Sequence, residues 1–463
     1  PIPMRSIYTR VNILEKITAR QRLTVHELEK RFDNHVREFG VRRETTSGLN
    51  AVNKFPALIV LGKPGAGKTT FLKHITLLAA DGGLTERLVP VFVGLNAYAN
   101  SPATISLFDY IVAQFDICGF PHSEEFVQRI LETGKCLLLL DGLDEVSKKK
   151  LGSTIRQIRD FSDKYSSNKF ILSCRIAAYN YNFEKFIDVE LTDFDDEQIK
   201  IFVTNWYGDQ STNTAKMFLE KLKENEPVRE LATNPLLLTI LCLAFEDSLD
   251  FPPNRAELYS DAIDAFLRKW DASKNIVRDD IYRNLSPKRK ESMFSRIAAV
   301  TFEKDQHFFP QRALERQIAE FIQHLPESQS EMLQLDSEAI LKSIEAQHGV
   351  FVERAKGIYS FSHLTFQEYF TAKYIVDNAR SGTLERLVQN HMHDPKWREV
   401  FMLTAGLLED AGEFLLLVKG HIDTMFSGCK NPSFTMLLKD IQHNVEVRKD
   451  IVCPPLCRAI ALT

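Results

Sequence analysis

The sequence has no long apolar run. Its longest, Leu236 to Phe245, is about half of what a bilayer-crossing helix requires, so no membrane span is expected. It also lacks an excess of positive charge. Lys and Arg number 58 against 62 Asp and Glu, a formal net charge of −4, which is the wrong balance for a dedicated nucleic-acid binder. A disulfide framework is missing too. The 7 cysteines are odd in number and scattered over 463 residues, and a chain of this size needs no covalent staples, so a reducing, cytoplasmic compartment is expected. Cys136, Cys174 and Cys242 sit among apolar neighbours and read as small buried hydrophobes. Cys453 and Cys457 are the one close pair, with His443 upstream, but zinc requires tighter, repeated ligand spacing. No tandem repeat with a period of roughly 20–50 residues is visible, so no solenoid is expected within these residues. No charged-then-apolar leader follows Pro1, and the chain stops at Thr463 just after what reads as the start of another element, so it is read as part of something longer.

What is present is a globular composition, 44% hydrophobic and 26% charged. Residues 1–55 form a polar lead-in with a basic lean (Arg20, Arg22, Arg37, Arg42, Arg43) and a short helix, Val25 to Phe32, whose Thr24 and Glu27 have capping-box spacing. Residues 56–193 alternate strand and helix signals, as a parallel α/β sheet does. The expected strands are Ala57–Leu61, Leu88–Leu95, Cys136–Leu140, Lys169–Cys174 and Ile187–Leu191. Cys136–Leu140 is apolar on both faces, the mark of a central strand. Residues 194–285 are helical, with apolar residues at helical spacing in Ile199, Phe202, Val203 and Trp206. Within 286–383 the helices flank a hairpin pattern, Val350–Val352 and Ile358–Phe361 around Lys356-Gly357, which suggests a winged helix. Residues 384–463 are again helical in pattern.

Residues 62–69, Gly62-Lys63-Pro64-Gly65-Ala66-Gly67-Lys68-Thr69, fit the phosphate-loop pattern at every fixed position, between an apolar strand and the helix Phe71 to Ala79. Glycines let backbone N–H groups turn inward around phosphate oxygens, and the helix N-terminus adds its positive dipole end. Lys68 is placed to reach the β- and γ-phosphates and Thr69 to ligate Mg2+, with Thr70 beside them. The bland alternative is an ordinary glycine-rich strand-to-helix turn.

A second apolar strand ends in Asp141-Gly142-Leu143-Asp144-Glu145, a Walker B arrangement. Asp141 is the expected metal residue, and Asp144 and Glu145 are candidates to orient or deprotonate the attacking water. One strand-helix unit, Leu88 to Phe115, lies between the two motifs, the layout of NTPases that carry a catalytic acid beside the Walker B aspartate (the ASCE type). The next strand ends Ser173-Cys174-Arg175, and Arg175 at that tip is a candidate γ-phosphate sensor, since ligands gather at the carboxyl ends of such strands. The bland alternative is a surface salt bridge.

Together these stretches resemble the NACHT branch of the signal-transduction NTPases, the STAND class. The resemblance rests on LGKPGAGKTTFL (61–72), LLLLDGLDEV (137–146), VELTDFDDEQIKIFVTNWY (189–207), ATNPLLLTILC (232–242) and FSHLTFQEYFTAKYI (361–375), in the family's order; YTRVNILEKI (8–17) is similar to the lead-in of bacterial NACHT proteins of anti-phage conflict systems. It implies a P-loop domain, a helical subdomain, a winged helix and further helices. It also implies that Pro235 packs near the adenine and that His363 bonds the β-phosphate of ADP and holds the winged helix closed. From the residues alone, Pro235 is a helix-start proline after Asn234, and His363 precedes a helix whose Thr365 and Glu368 have capping-box spacing.

The expected function is therefore an ATP/ADP-dependent switch that opens on sensing a trigger, such as a phage protein or nucleic acid, exchanges ADP for ATP and forms a homo-oligomer, with slow hydrolysis as the reset, in antiviral innate immunity. Two other classes compete. A turnover NTPase of the AAA+ kind would hydrolyse continuously. A STAND transcription regulator would use its winged helix on DNA, which the net charge and the acidic Glu368 oppose. No base-specific GTPase motif follows the fourth strand, which favours ATP.

Overall fold

The computed structural model describes residues 8–14, 23–32, 45–102, 105–176, 179, 183–208, 212–248, 250–251, 255–264, 285–324, 341, 344–345 and 349–426. One sheet contains β1 (Asn12–Leu14), β2 (Thr46–Ser47), β3 (Ala57–Gly62), β4 (Val89–Gly94), β5 (Cys136–Asp141), β6 (Lys169–Arg175) and β7 (Ile187–Leu191). A smaller sheet contains β8 (Phe309–Pro310), β9 (Phe351–Ala355) and β10 (Ile358–Phe361). The larger sheet has the order β2-β1-β7-β3-β6-β5-β4. Strands β3 to β7 pair in parallel, and β1 and β2 add an antiparallel edge beside β7. Part of the lead-in segment thus belongs to the larger sheet.

The strand order corrects one detail of the sequence reading. The strand inserted along the chain, β4, forms the outer edge. The strand inserted in space is β6, which lies between the phosphate-loop strand β3 and the acidic-tipped β5. The tips of β3, β5 and β6 are therefore neighbours, and this proximity builds the site.

Alternation along the strands serves two faces. Ile59, Leu138 and Leu172 join Ile111, Val127 and Ile158 in one buried cluster. Their chain neighbours Val60, Leu139 and Ile171 are equally buried, facing the other way, where the helix Lys68–Ala80 packs on the sheet through Phe71, Leu72 and Ile75. Full burial of each such side chain contributes about 1.5–3 kcal/mol. Residues 136 to 140 are all buried, as a central strand requires, and Cys136, Cys174 and Cys242 are buried free cysteines.

The chain after β7 is helical. Asp195 caps Asp196–Tyr207 by a capping box with Gln198, and Thr24 does the same for Val25–Arg31 through Glu27. Thr212–Glu224, Glu226–Ala232 and Pro235–Ser248 follow. The hairpin β9-β10 turns where expected. Aromatic rings of Phe309, Phe351 and Phe361 fill its face, and Leu28 of the lead-in helix packs against Phe308, Ala355 and Ile358. The helix after the hairpin is Leu364–Asp377, so Thr365 lies inside the first turn and not at the cap the sequence pattern suggested.

The chain divides into two compact units. One comprises Pro1–Asp250, Ala265–Ser286 and Phe308–His363, and so holds the larger sheet, the hairpin and His363. The other comprises Phe251–Asp264, Pro287–His307 and Leu364–Thr463. In the second, Leu364–Asp377 packs against Pro287–Glu303 and Arg398–Leu407, with Phe294 against Phe370. His391 ends the helix Thr383–His391, stacks on Trp397 and meets Glu303. No helix of the described residues is long and apolar enough to cross a membrane. Cys453, Cys457 and His443 lie outside the described residues.

Candidate functional site

At the carboxyl ends of β3, β5 and β6 a cleft is lined by Pro64, Gly65, Gly67, Lys68, Thr69, Thr70, Asp141, Gly142, Asp144, Glu145, Ser173 and Arg175. Gly65 and Gly67 take positive φ (75° and 83°), which turns the loop back on itself before the helix Lys68–Ala80 begins. A side chain at Gly67 would meet nothing within 4 Å, so the loop's concave side is open at that point. Lys68 spans the loop: its ammonium donates to the carbonyls of Gly62 at 2.9 Å and Lys63 at 3.0 Å.

Asp141 sits at the tip of β5 and receives two hydroxyls on the same oxygen. Thr69 Oγ1 lies 3.2 Å from Oδ1, and Ser173 Oγ lies 2.6 Å from it. Ser173 also accepts the Gly142 N–H at 2.8 Å, so its own proton points to Asp141. A hydroxyl and a carboxylate converging beside a phosphate-sized loop are the donor set of a divalent cation with phosphate oxygens. These residues fit a nucleotide and Mg2+.

The acid pair that follows is not symmetric. Asp144 accepts the backbone N–H of Arg175 at 3.0 Å, and its second oxygen lies 3.0 Å from Arg175 Nε, with both side chains almost fully buried (3% and 4% exposed). Glu145 lies back against Gly142, where an added Cβ would come within 3.0 Å of its carboxyl carbon. The short turn Leu143–Glu145 thus presents its two acids in different settings.

The outer side of the phosphate loop is clamped. Asn234, just before the helix Pro235–Ser248, donates Nδ2 to the Pro64 carbonyl at 3.4 Å, and its Oδ1 accepts the Leu236 N–H at 3.0 Å. Any Cβ on Gly65 would fall 2.8 Å from that Oδ1. Lys63 pairs with Asp193 at 2.5 Å. Burial alone would raise the Asp193 carboxyl, but Lys63 outweighs it, with help from His363 and Arg354, and holds it below the usual carboxylate range.

Of the residues expected at the site, Gly62, Lys63, Ala66, Pro235 and His363 are not on the cleft wall. Pro235 is half-buried at its helix start. His363 is buried, with Nδ1 3.8 Å from Glu230. Burial pushes its imidazole down to about 4, against the pull of Glu230 and Asp193, so it is neutral at pH 7. Arg354 of β9 is buried close by and donates to Ser360 Oγ at 2.9 Å and the Ser362 carbonyl at 2.7 Å.

Sequence reasoning missed Ser173, Asp193, Asn234 and Arg354. Ser173 carried a signal, a lone hydroxyl in the apolar strand Lys169–Arg175, two residues before Arg175. Arg354 carried none, since nothing local marks a hairpin arginine as buried.

Residues 57–210 match the NACHT domain, and residues 255–375 match the winged helix-turn-helix domain C-terminal to NACHT. The chain is similar to NLR family CARD domain-containing protein 4 of Xenopus tropicalis, at 25% identity over 321 residues, 68% of this chain and 29% of that protein. It therefore spans less than a third of that relative's length. Among solved structures it is similar to AMPPCP-bound DnaA from Aquifex aeolicus (15% identity, 65% of this chain and 90% of that one, TM-score 0.29). It is also similar to a signal transduction ATPase with numerous domains and a tetratricopeptide repeat sensor from Pyrococcus horikoshii (15% identity, 89% and 56%, TM-score 0.26). Superpositions this loose add no argument of their own. The two successive domain matches, the first laid over the phosphate-loop cleft, show a NACHT domain followed by the winged helix C-terminal to it, as in the NACHT family of STAND NTPases.

Proposed function

We propose that the chain is an ATP/ADP-dependent switch that is closed with ADP, opens on sensing a trigger, exchanges for ATP and then assembles into a homo-oligomer. One observation carries this reading: the hairpin and His363 share one compact unit with the nucleotide cleft, and Gly349, at the hairpin's start, packs against Pro64 of the phosphate loop. With Gly349 against the phosphate loop, the hairpin that follows is an element whose position can be biased by what the loop holds.

In this reading the loop amides and Lys68 hold the phosphates, and Thr69 with Asp141 holds Mg2+. When bound, the metal would neutralise charge on the phosphates. Arg175 reads the γ-phosphate, and Asp144 and Glu145 serve hydrolysis, which is slow and resets the switch. Pro235 sits toward the base, and His363 contributes to holding the closed state. A cytoplasmic location and a role in antiviral innate immunity, with a phage protein or nucleic acid as the trigger, follow from the resemblance to bacterial NACHT proteins.

The test is to denature freshly purified protein and identify the released nucleotide by chromatography. Near-stoichiometric ADP is the expected result. An empty site together with untriggered ATP turnover at or above roughly one per second would replace the switch with a continuously turning AAA+-like enzyme.

A further inference from the structure

We propose that Asp144 acts as a positioning residue, holding Arg175 as the reader of the γ-phosphate, and leaves Glu145 as the acid that serves the attacking water. This rests on the nucleotide reading above and divides labour within it. In the sequence the two acids are adjacent and interchangeable. In the structure they are not.

Each oxygen of Asp144 meets Arg175, one at its backbone N–H and the other at its Nε, each at 3.0 Å. Both side chains are withdrawn from water, at 3% and 4% exposure. A buried pair with satisfied hydrogen bonds is hard to separate, because either partner alone would be left as an uncompensated charge. A carboxylate so held is a poor proton acceptor. It is, however, a rigid support. It ties the tip of β6 to the turn after β5, and the Gly142 N–H to Ser173 Oγ contact, at 2.8 Å, ties the same two elements a second time. Arg175 is thereby fixed at the cleft wall by contacts to its backbone and to its Nε.

Glu145 lines the same cleft from a different setting, folded over Gly142. In hydrolysis the water oxygen bonds to the γ-phosphorus as the bond to the β–γ bridging oxygen breaks, and the water proton passes to Glu145. The leaving ADP takes the electron pair of the broken bond.

A residue that acts only through another has no effect once that other is removed, so the proposal is tested by a double-mutant cycle in the full chain. ATP and ADP dissociation constants with Mg2+, and single-turnover hydrolysis, are measured for Asp144→Asn, Arg175→Ala, the double variant and Glu145→Gln. Arg175→Ala and Asp144→Asn are each expected to weaken ATP relative to ADP by about tenfold or more, and the double variant to be no worse than Arg175→Ala alone. Glu145→Gln is expected to keep the ATP-to-ADP ratio while slowing the chemical step by about 100-fold or more. Multiplicative losses in the double variant, or a wild-type ratio in Asp144→Asn, would overturn the proposal. Should Asp144→Asn fail to fold, Asp144→Glu and Arg175→Lys, which keep the charges and displace their geometry, are expected to shift the ratio in the same direction; an unshifted ratio in both would overturn it as well. A wild-type protein that binds neither nucleotide would instead sink the parent reading.

Discussion

Ser173 shows how much a single hydroxyl carries in this cleft. It donates to the Asp141 oxygen that also meets Thr69, and it accepts the Gly142 N–H, so it sets both the carboxylate and the turn behind it. Ser173→Ala would leave a buried N–H without its partner, at about 1–3 kcal/mol, and would free the carboxylate to rotate. Partners of this kind typically change metal affinity by about 10- to 100-fold, so the variant should need correspondingly more Mg2+ for tight ATP binding, and Ser173→Thr should restore it. A Mg2+ titration that superimposes on wild type would remove the role. Lys68→Ala should abolish nucleotide retention, read from the nucleotide content of purified protein. Residues 62–69 and 141–145 were legible because each motif packs its chemistry into one short stretch. Ser173 was not, because its role depends on β6 lying beside β5, which is a fact of strand order.

Elements bring the remaining pieces together. Gly349, two residues before β9, lies against the phosphate loop at φ 61°, with an added Cβ 2.8 Å from both Cγ and Cδ of Pro64. Gly349→Ala therefore combines backbone strain of about 1–3 kcal/mol with a collision against a rigid ring. It should loosen the hairpin's seat and speed release of a fluorescent ADP analogue; an unchanged off-rate would show that this contact does not hold the closed form. His363 supplies a pH dependence. Its folded value is pushed down to about 4, so the unfolded chain takes up a proton near pH 6.5 that the folded one refuses. Its stabilising contribution is complete above about pH 6.5 and is lost as the pH falls toward 4, by at most about 3 kcal/mol. The melting temperature of wild type should fall more steeply between pH 7 and 5 than that of His363→Asn, and parallel curves would show that His363 does not titrate there. The long strands and amphipathic helices were readable from their periodicity. The two- and three-residue strands β1, β2 and β8 were not, since so short a segment has no period and is strand only because a neighbour pairs with it.

At the scale of the whole molecule, the chain passes back and forth between its two units. Segments 251–264 and 287–307 of the second unit are each flanked by segments of the first. At two of the junctions buried residues are joined directly: His307 to Phe308, and His363 to Leu364. Unfolding either unit must pull directly on a core residue of the other, which argues for one cooperative transition in place of two. The tryptophans can report this. Trp206, in the first unit, donates Nε1 to Glu246 at 2.7 Å, and Trp397, in the second, stands edge-on to Phe302 at 4.9 Å between ring centroids. Trp270, the remaining one of the 3, lies outside the described residues and can be replaced by Phe. In variants retaining only Trp206 or only Trp397, both probes should melt together, and ADP at about 100 times its dissociation constant should stabilise both by about 2.7 kcal/mol, although it contacts only the first unit in this reading. If Trp206 alone responded and Trp397 melted separately, the buried junctions would not couple the units, and the hairpin's contact with Pro64 could not carry a nucleotide signal beyond the first of them.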